Sequence, residues 1–356
     1  APQCSTVAID FTNTGSTGGN WAYAWNLGVG AVPAFSSAEN PSGILYSSSG
    51  TKTVTFTISD QHCTQTATQT IVINATPTAS FTSTAPQCTG LSVDFTNTGS
   101  TAGVSWSWDL GSGATPPTSA TQNPAGVSYS TPGTKTVTLT TTDNTSGCSV
   151  TATNTFTIYQ SPTATFTSTA PQCSTVPISF TNTGSTGGSW SYLWNLGVGA
   201  VPVFSSAENP SGILYTSAGT KTITFTVSDQ HCTQTSTQTI VINATPSAEF
   251  TSTAPQCTGL GVDFTNTGTT TGVSYSWDLG TGATPANSVA QNPSGVVYST
   301  PGTKTITLTT TDTTSGCSVS STGTFTIYQS PTATFTSTAP QCSTVAIDFT
   351  NTGSTG

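Results

Sequence analysis

The chain has 356 residues, a net charge of −9 and only 5% charged residues. With four lysines and no arginine, it has no basic patch to neutralise phosphates, which argues against binding to nucleic acid or to anionic membranes. Regularly recurring aromatic and β-branched residues argue against disorder, and no segment is apolar enough to span a bilayer.

The sequence repeats itself. The tetrapeptide Ala-Pro-Gln-Cys begins at five positions, and the two spacings between successive starts differ by a single residue and alternate. Two related units, A and B, therefore form a super-repeat of one A and one B, as in a modular array. Because residues 339–356 restate residues 1–18, we expect the chain to be part of a longer array. The five starts are Ala1, Ala85, Ala170, Ala254 and Ala339.

The repeat predicts four modules and a fragment. Modules of this size can each bury a modest core. Their predicted bounds are 1–75 (unit A, without its first strand), 76–160 (unit B), 161–245 (unit A), 246–330 (unit B) and 331–356 (the start of a further unit A).

The predicted elements are clearest in residues 76–160. The segment 135–143 alternates strictly between polar and apolar residues, which is typical of a half-buried strand. Helical periodicity is found nowhere, and about seven short strands separated by turns predict a β-sandwich. In chain order the strands are expected at 77–81, 91–95, 104–110, within 118–129, at 135–143 and at 150–158, with Cys88 in the first turn and Cys148 just after the hairpin turn 144–147.

This module contains three motifs: Val93-Asp-Phe-Thr96, Trp108-Asp-Leu-Gly-Ser-Gly113 and the segment Tyr129–Leu139. They resemble the motifs of PKD domains, which are immunoglobulin-like. Unit A has related segments at Trp25–Gly30 and Tyr46–Phe56. The resemblance covers every module and implies an all-β tandem array of immunoglobulin-like sandwiches. Since the linkers are short and contain proline, we expect this array to form an extended rod.

The motifs depart from the family pattern at two places. The second acidic residue of the family's Gly-Asp-Gly turn is Val29 or Ser112 here, and the aromatic residue of its Gly-Thr-Tyr segment is Lys52 or Lys135. The cysteine placement and the threonine-rich repeats further resemble giant surface adhesins of gliding bacteria, which are exported by the type 9 system.

Nine cysteines occupy two positions per module. There is no Cys-x-x-Cys pair, and the only histidines are His62 and His231, so no metal site is expected. Disulfides in an oxidising compartment are expected instead. One set of cysteines precedes the second strand, and the other follows the last hairpin turn: Cys4, Cys88, Cys173, Cys257 and Cys342, and Cys63, Cys148, Cys232 and Cys317.

The pairing follows from the topology of an immunoglobulin-like sandwich, in which these two turns lie at opposite ends. A strand of about seven residues spans roughly 20 Å, whereas a disulfide needs Cα atoms within about 7 Å. Bonds between modules are therefore expected, with a bond inside each module, such as Cys4–Cys63, as the alternative. The predicted pairs are Cys4–Cys148, Cys88–Cys232 and Cys173–Cys317, with Cys63, Cys257 and Cys342 bonded to further modules.

Acidic or amide residues follow the central tryptophan of each module. A calcium site there would need several oxygen ligands close together, and the family's second acidic residue is missing. We therefore expect these side chains to bond backbone N–H groups of the following turn, with calcium as the alternative. The residues are Asp109 and Asp278 in unit B, and Asn26 and Asn195 in unit A.

Each module also contains one lysine and several aromatic residues. We expect the lysine stem to lie on the rim of the core with its ammonium group in water; an isopeptide crosslink is the alternative. Trp25, Trp108, Trp194 and Trp277 are predicted core residues. The candidates for a partly exposed sugar-binding surface are Trp21, Trp106, Trp190 and Tyr275.

The sequence contains no Gly-x-Ser-x-Gly nucleophile motif, so no enzyme is expected. The segment Asp312-Thr-Thr314 resembles the O-glycosylation motif of the same bacterial group, which makes Thr313 a candidate acceptor. No cofactor is expected.

We expect a non-enzymatic segment of a long extracellular filament or adhesin at the cell surface, providing reach and mechanical strength in adhesion or gliding motility. Its partners would be neighbouring modules of the same chain, and surface polysaccharide or laterally associated copies. The alternatives are a carbohydrate-binding array and the linker region of a large secreted hydrolase.

Overall fold

The computed structural model describes residues 3–354, and within that range the chain forms β-strands and loops. No helix in this range could span a membrane. Contacts divide the chain into two units. The first unit runs to residue 162 and includes residues 228–233, and the second comprises 163–227 and the residues from 234 onward.

Within the described residues, the first unit contains seventeen strands. They are β1 Gln3–Cys4, β2 Ala22–Asn26, β3 Ala31–Val32, β4 Phe35–Ser36, β5 Leu45–Tyr46, β6 Gly50–Ser59, β7 Thr64–Asn74, β8 Phe81–Ser83, β9 Gln87–Cys88, β10 Ser92–Val93, β11 Phe95–Asn97, β12 Val104–Asp109, β13 Ala114–Thr115, β14 Thr118–Ser119, β15 Val127–Tyr129, β16 Gly133–Asp143 and β17 Ser149–Tyr159.

The second unit repeats the plan. Its strands are β18 Phe166–Ser168, β19 Gln172–Cys173, β20 Phe180–Asn182, β21 Ser191–Asn195, β22 Ala200–Val201, β23 Phe204–Ser205, β24 Leu214–Tyr215, β25 Gly219–Ser228, β26 Thr233–Asn243, β27 Phe250–Ser252, β28 Gln256–Cys257, β29 Gly261–Val262, β30 Phe264–Asn266, β31 Val273–Asp278, β32 Ala283–Thr284, β33 Asn287–Ser288, β34 Val296–Tyr298, β35 Gly302–Asp312, β36 Ser318–Tyr328, β37 Phe335–Ser337 and β38 Phe349–Asn351.

Strands β8 to β17 form an immunoglobulin-like sandwich. One sheet has the order β14-β12-β16-β17-β9, and the facing layer combines the β8–β11 pair with the sheet β10-β15-β13. The antiparallel pair β16–β17, in register from Gly133↔Ile158 to Thr142↔Ser149, is its longest ladder. The corresponding five-stranded sheets elsewhere are β1-β7-β6-β2-β4, β19-β26-β25-β21-β23 and β28-β36-β35-β31-β33.

Each sandwich encloses its own hydrophobic cluster, and each cluster falls within one predicted module. The module bounds themselves stay a prediction. The four core tryptophans are 0–7% exposed. Each indole N–H donates to a backbone carbonyl thirteen residues later, as from Trp108 Nε1 to Thr121 O at 2.9 Å. This bond satisfies the one polar atom of a side chain that otherwise contributes a large apolar surface.

A tyrosine closes each core from the opposite layer. The Tyr129 hydroxyl donates to Leu110 O at 2.7 Å, and Tyr46, Tyr215 and Tyr298 make the same bond to the leucine nineteen residues earlier. Burial raises the pKa of Tyr129, Tyr215 and Tyr298 to about 12. These bonds fix the Trp-(Asp/Asn)-Leu-Gly segment against the core.

Several short elements differ from the sequence expectation. The turn that carries Cys88 contains β9, which pairs in parallel with the end of β17. The strand expected at 91–95 is split into β10 and β11, and Leu91 is 50% exposed. The turn that follows Leu110 contains β13. Strands of two residues leave no periodic pattern in a sequence, so hydrophobic alternation cannot reveal them.

Candidate functional site: the disulfide joints

In the part of the chain that the structure describes, three disulfides connect successive modules. They are Cys4–Cys148, Cys88–Cys232 and Cys173–Cys317, which we call the first, second and third joints. Each spans 144 residues of sequence, with Cα–Cα distances of 5.7, 6.0 and 5.7 Å. These pairs coincide with the inter-module pairs expected from the sequence, and not with the intra-module alternative.

One partner of each bond lies in what we call the base of a module, where the short strand that carries the cysteine pairs with the end of the last strand. In the base of residues 76–160, Cys88 is in register with Tyr159. The Thr89 N–H donates to Tyr159 O at 2.8 Å, and the Ser161 hydroxyl donates to Thr89 O at 2.7 Å. The segment that carries the cysteine is therefore hydrogen-bonded, through Thr89, to the last strand and to the linker of its own module.

The other partner lies in what we call the tip, the hairpin turn between the two longest strands. The unit A tips are 60–63 and 229–232, with the sequence Asp-Gln-His-Cys, and the unit B tips are 143–148 and 312–317. In a unit B tip, Asp143 Oδ1 accepts hydrogen bonds from the Ser146 N–H at 2.7 Å and the Ser146 hydroxyl at 2.8 Å. In a unit A tip, Asp229 Oδ1 accepts from the N–H groups of His231 and Cys232.

The aspartate in each tip is thus a local cap that fixes the cysteine. Hydrogen bonds to the carboxylate lower the pKa of Asp60, Asp143, Asp229 and Asp312, the largest cause being a backbone N–H in each tip. The backbone hydrogen bonds stabilise the ionised form because they are made to the charged oxygens.

Docking buries the tip cysteines. Cys148, Cys232 and Cys317 are at most 2% exposed, whereas Cys63 is exposed although its tip has the same sequence as 229–232. Cys63, Cys257 and Cys342 are free thiols in this structure. That they pair with further modules stays a prediction.

The second joint contains a ring pair that the sequence analysis did not anticipate. The rings of Tyr159 and His231 stack with their centroids 3.6 Å apart and their planes 5° from parallel. Cys88 Sγ lies 3.5 Å from His231 O. The signal in the sequence was the alternation of the base residue between tyrosine and asparagine from one module to the next.

The unit A bases differ at this point. Asn74 is in register with Cys4, and Asn243 with Cys173. At the third joint a shallow groove brings Asn243 together with Thr314 and Ser315 of the docked unit B tip. The two kinds of joint therefore pair different side chains.

The side chains that directly follow the central tryptophan accept hydrogen bonds from the next turn. Asp109 Oδ1 accepts from the Gly111 N–H at 2.9 Å, and Asp278, Asn26 and Asn195 make the same bond to the glycine two residues on. A Cβ at Gly111, where φ is +83°, would collide with Thr136 O, which accounts for the glycine of the motif. Among residues 3–354, no cluster of His, Cys, Asp and Glu is arranged to hold a metal ion.

The expectation that the lysine ammonium groups lie in water is wrong. Lys52, Lys135, Lys221 and Lys304 are only 3–7% exposed. Lys135 Nζ donates to Thr131 Oγ1 at 2.9 Å and lies 5.7 Å from the centre of the Tyr129 ring. A hydroxyl and an aromatic face thus replace water around the ammonium group.

One of the candidate sugar-binding residues is less accessible than expected. Tyr275 is 9% exposed, and its hydroxyl donates to Thr269 O at 3.2 Å. Trp106 is half-buried against the core. Its counterpart in the first module is Tyr23 rather than Trp21, because Tyr23 pairs with Ile58 as Trp106 pairs with Thr141.

Trp21 and Trp190 are half-buried, and Tyr192 is the counterpart of Trp106 in the third module. A sugar-binding role for Trp21, Trp106 and Trp190 stays a prediction. Thr313 is exposed in its tip, and its hydroxyl donates to Gly272 O at 2.9 Å. Its glycosylation also stays a prediction.

A groove of about 940 Å³ lies in the first module and includes Phe11, Trp25 and Phe56 in its lining. In the other modules the phenylalanine of the first strand packs on the tryptophan, as Phe81 does on Trp108 with ring centres 5.0 Å apart. The groove therefore occupies the place that this phenylalanine fills in the other modules.

A family model described as the PKD domain matches residues 74–158 and 243–327. The chain is similar to an I-band fragment of titin at 12% identity over 72% of this chain and 99% of that chain, with a TM-score of 0.36. It is also similar to a four-domain ectodomain fragment of ICAM-5 at 11% identity over 92% of each chain, with a TM-score of 0.39.

A further similar structure is the three N-terminal domains of the outer capsid protein Hoc of bacteriophage RB49, at 12% identity over 72% of this chain and 99% of that chain, with a TM-score of 0.29. No curated protein sequence matches the chain significantly. The chain is an all-β array of immunoglobulin-like sandwiches, and its two unit B segments match the PKD-domain family.

Proposed function

We propose that this chain is a non-enzymatic, load-bearing segment of a long extracellular adhesin or surface filament, of the kind used in adhesion and gliding motility and exported by the type 9 system. The observation that carries the proposal is the staggered disulfide topology of the three joints. Disulfide-bonded immunoglobulin-like modules are typical of secreted proteins, since thiols are kept reduced in the cytosol.

The joints create a short covalent path through the chain. Cys4 is bonded to Cys148, and Cys173 is bonded to Cys317. A pulling force therefore passes from Cys4 to Cys317 through only the backbone between Cys148 and Cys173, instead of the whole backbone from 4 to 317. The path is covalent throughout, so it does not depend on the stability of any core.

The second joint belongs to a separate path. It runs from Cys63 to Cys88, across the bond to Cys232, and on to Cys257. The backbone stretches 63–88 and 232–257 of this path are each as long as the stretch 148–173. The two paths share no residue, so the segment contains two independent covalent lines.

The backbone along these two lines can lengthen only a little under force. The stretch from Cys148 to Cys173 contains β17, β18 and β19, where the backbone is already extended. Fully stretched, a segment of this length spans at most about 90 Å. Strands such as β12 and β16 belong to neither line, so tension along the chain would not be transmitted through them and would not detach them from the core.

Force spectroscopy on the full chain, held at its two ends, tests this proposal. With the disulfides intact, the backbone between Cys4 and Cys317 should release almost no length. After reduction, the two loops, each with a sequence separation of 144, should together add about 1000 Å of contour length.

The control is a variant in which Cys4, Cys148, Cys173 and Cys317 are all serine. Because the Cys88–Cys232 bond still bypasses its own loop, with a sequence separation of 144, this variant should show about 500 Å of the added length without reduction and the remainder after it. Equal contour lengths for the oxidised and reduced chain would contradict a load-bearing role of the joints.

A further inference from the structure

We propose that the base of a unit B module is a recognition surface for the unit A tip Asp-Gln-His-Cys. In this inference, which does not depend on a load-bearing role, Tyr159 distinguishes the ring of His231 from the side chains of a unit B tip. The stacked pair then selects the correct partner for Cys88 before the disulfide closes.

The first observation is that the base residue alternates. The residue in register with the base cysteine is a tyrosine in unit B and an asparagine in unit A. The four pairs are Cys88↔Tyr159, Cys257↔Tyr328, Cys4↔Asn74 and Cys173↔Asn243.

The second observation is that the tips alternate with the bases. Both unit A tips carry a histidine directly before the cysteine, whereas the unit B tips are two residues longer and end in Thr-Ser-Gly-Cys. In the joints that the chain contains, the unit B base bonds a unit A tip, and each unit A base bonds a unit B tip.

The third observation is the geometry of the contact. The 3.6 Å separation and 5° angle of the Tyr159 and His231 rings are those of a stacked pair. Asp229 fixes the tip through bonds of 2.8 Å to the His231 N–H and 2.6 Å to the Cys232 N–H. The histidine is therefore presented on a rigid turn whose cysteine lies next to Cys88. A stacked aromatic pair adds about 0.5–1.5 kcal/mol beyond its buried area.

The chain also contains undocked copies of both surfaces. Tyr328 is 58% exposed, whereas its counterpart Tyr159 is half-buried. Cys63 is exposed, whereas Cys232 in the same tip sequence is 2% exposed. Substitutions at Tyr328 and His62 are therefore matched controls for those at Tyr159 and His231. They make the same chemical change at a site where no partner is docked.

Such selection matters because nine cysteines in near-identical modules offer many wrong pairs, and repeat proteins are prone to misassembly. The bond forms when two thiols of the chain exchange with a low-molecular-weight disulfide. Oxidised glutathione, for example, leaves as two reduced thiols while Cys88 and Cys232 are oxidised. The ring pair shifts this equilibrium because it stabilises only the docked arrangement.

The test measures the equilibrium constant of each joint in a buffer of reduced and oxidised glutathione, by differential alkylation and mass spectrometry. The full chain carries Cys63→Ser, Cys257→Ser and Cys342→Ser to remove competing thiols. Tyr159→Asn and His231→Thr are each expected to lower the constant of the second joint about two- to tenfold. The double variant should fall no further than either single one, since both remove the same contact.

Three results would overturn the proposal: an unchanged second joint, additive effects of the two substitutions, or equal effects of the control substitutions Tyr328→Asn and His62→Thr. The first and third joints, with asparagine at the base, should keep their constants in all variants and serve as internal references. In oxidative refolding, replacing Gln230-His231 by Asn-Thr-Ser-Gly should lower the yield of Cys88–Cys232. An unchanged yield would count against selection.

Discussion

At the scale of single residues, the packing of each module depends on how a few polar groups are satisfied inside an apolar core. The indoles of the four core tryptophans, the hydroxyls of the four core tyrosines and the four lysine ammonium groups all have hydrogen-bond partners. Thr141 and Thr310 differ, because each is 0% exposed and its hydroxyl has no hydrogen-bond partner. A buried hydroxyl without a partner costs stability, since it loses its bonds to water.

Thr141→Val should therefore stabilise the second module by about 1–2 kcal/mol. Valine has nearly the shape of threonine, and unit A already has Val227 at the corresponding position, where it is fully buried. Hydrogen exchange of residues 133–159, followed by mass spectrometry, would measure the effect in this module alone. The exposed Thr136→Val is the matched control, and faster exchange in Thr141→Val than in this control would contradict the prediction.

The core tyrosines should titrate late. Burial raises the pKa of Tyr129, Tyr215 and Tyr298 from 10.0 to about 12. Because the folded-state pKa is the higher one, the protonated hydroxyl stabilises the fold fully below pH 10, and this contribution is lost as the pH rises through about 12.

Tyrosinate absorbance should thus show a late class of tyrosines. Tyr298→Phe should remove one member of that class. A single titration step near pH 10 for all tyrosines of the folded chain would contradict the expectation.

At the scale of elements, the tip is the smallest part of a joint. Two long strands meet in a turn that one aspartate closes, and this turn presents the cysteine. Hydrogen bonds lower the pKa of the Asp143 carboxyl below its ordinary value of 3.8. The ionised carboxylate therefore stabilises the tip fully at pH values above 3.8, and this contribution is lost as the pH falls through the lower folded-state pKa.

Asp143→Ala should weaken the first joint. Without the cap, the tip samples more conformations, so the glutathione equilibrium constant of Cys4–Cys148 should fall about two- to fivefold. Asp60→Ala removes the same cap from a tip whose cysteine is unbonded, and it should leave all three joints unchanged. An unaltered first joint in Asp143→Ala would show that the cap does not position the cysteine.

At the scale of the whole molecule, the three joints link alternate stretches of the chain into two groups, and none of these disulfides connects one group to the other. Tryptic cleavage after the four lysines separates five segments: 1–52, 53–135, 136–221, 222–304 and 305–356. The first and third joints link the odd-numbered segments, and the second joint links the two even-numbered ones.

Digestion of the denatured, unreduced chain should therefore yield two products, one of three segments and one of two. The free thiols must first be alkylated to prevent exchange. Bonds within each module would instead hold all five segments together, so one product containing every segment would refute the staggered topology. Mass spectrometry before and after reduction distinguishes the two outcomes.

Much of this architecture could be predicted from the sequence. The strict alternation of 135–143 and the tryptophan motifs predict all-β immunoglobulin-like modules, because a two-residue period and turn residues are local properties of a chain. The repeat length and the ends of a sandwich were enough to expect the three joints, since those ends lie too far apart for a bond within one module.

Other features depended on the tertiary structure. The burial of Lys135 depended on the fold of the turn between β15 and β16, which places the Thr131 hydroxyl and the Tyr129 ring around the ammonium group. The parallel pairing of β9 with β17, and the stacking of Tyr159 on His231, join residues that are far apart in the chain. Periodicity records which face of a strand is buried, but it carries no information on which distant side chain meets that face, and only the folded chain decides this.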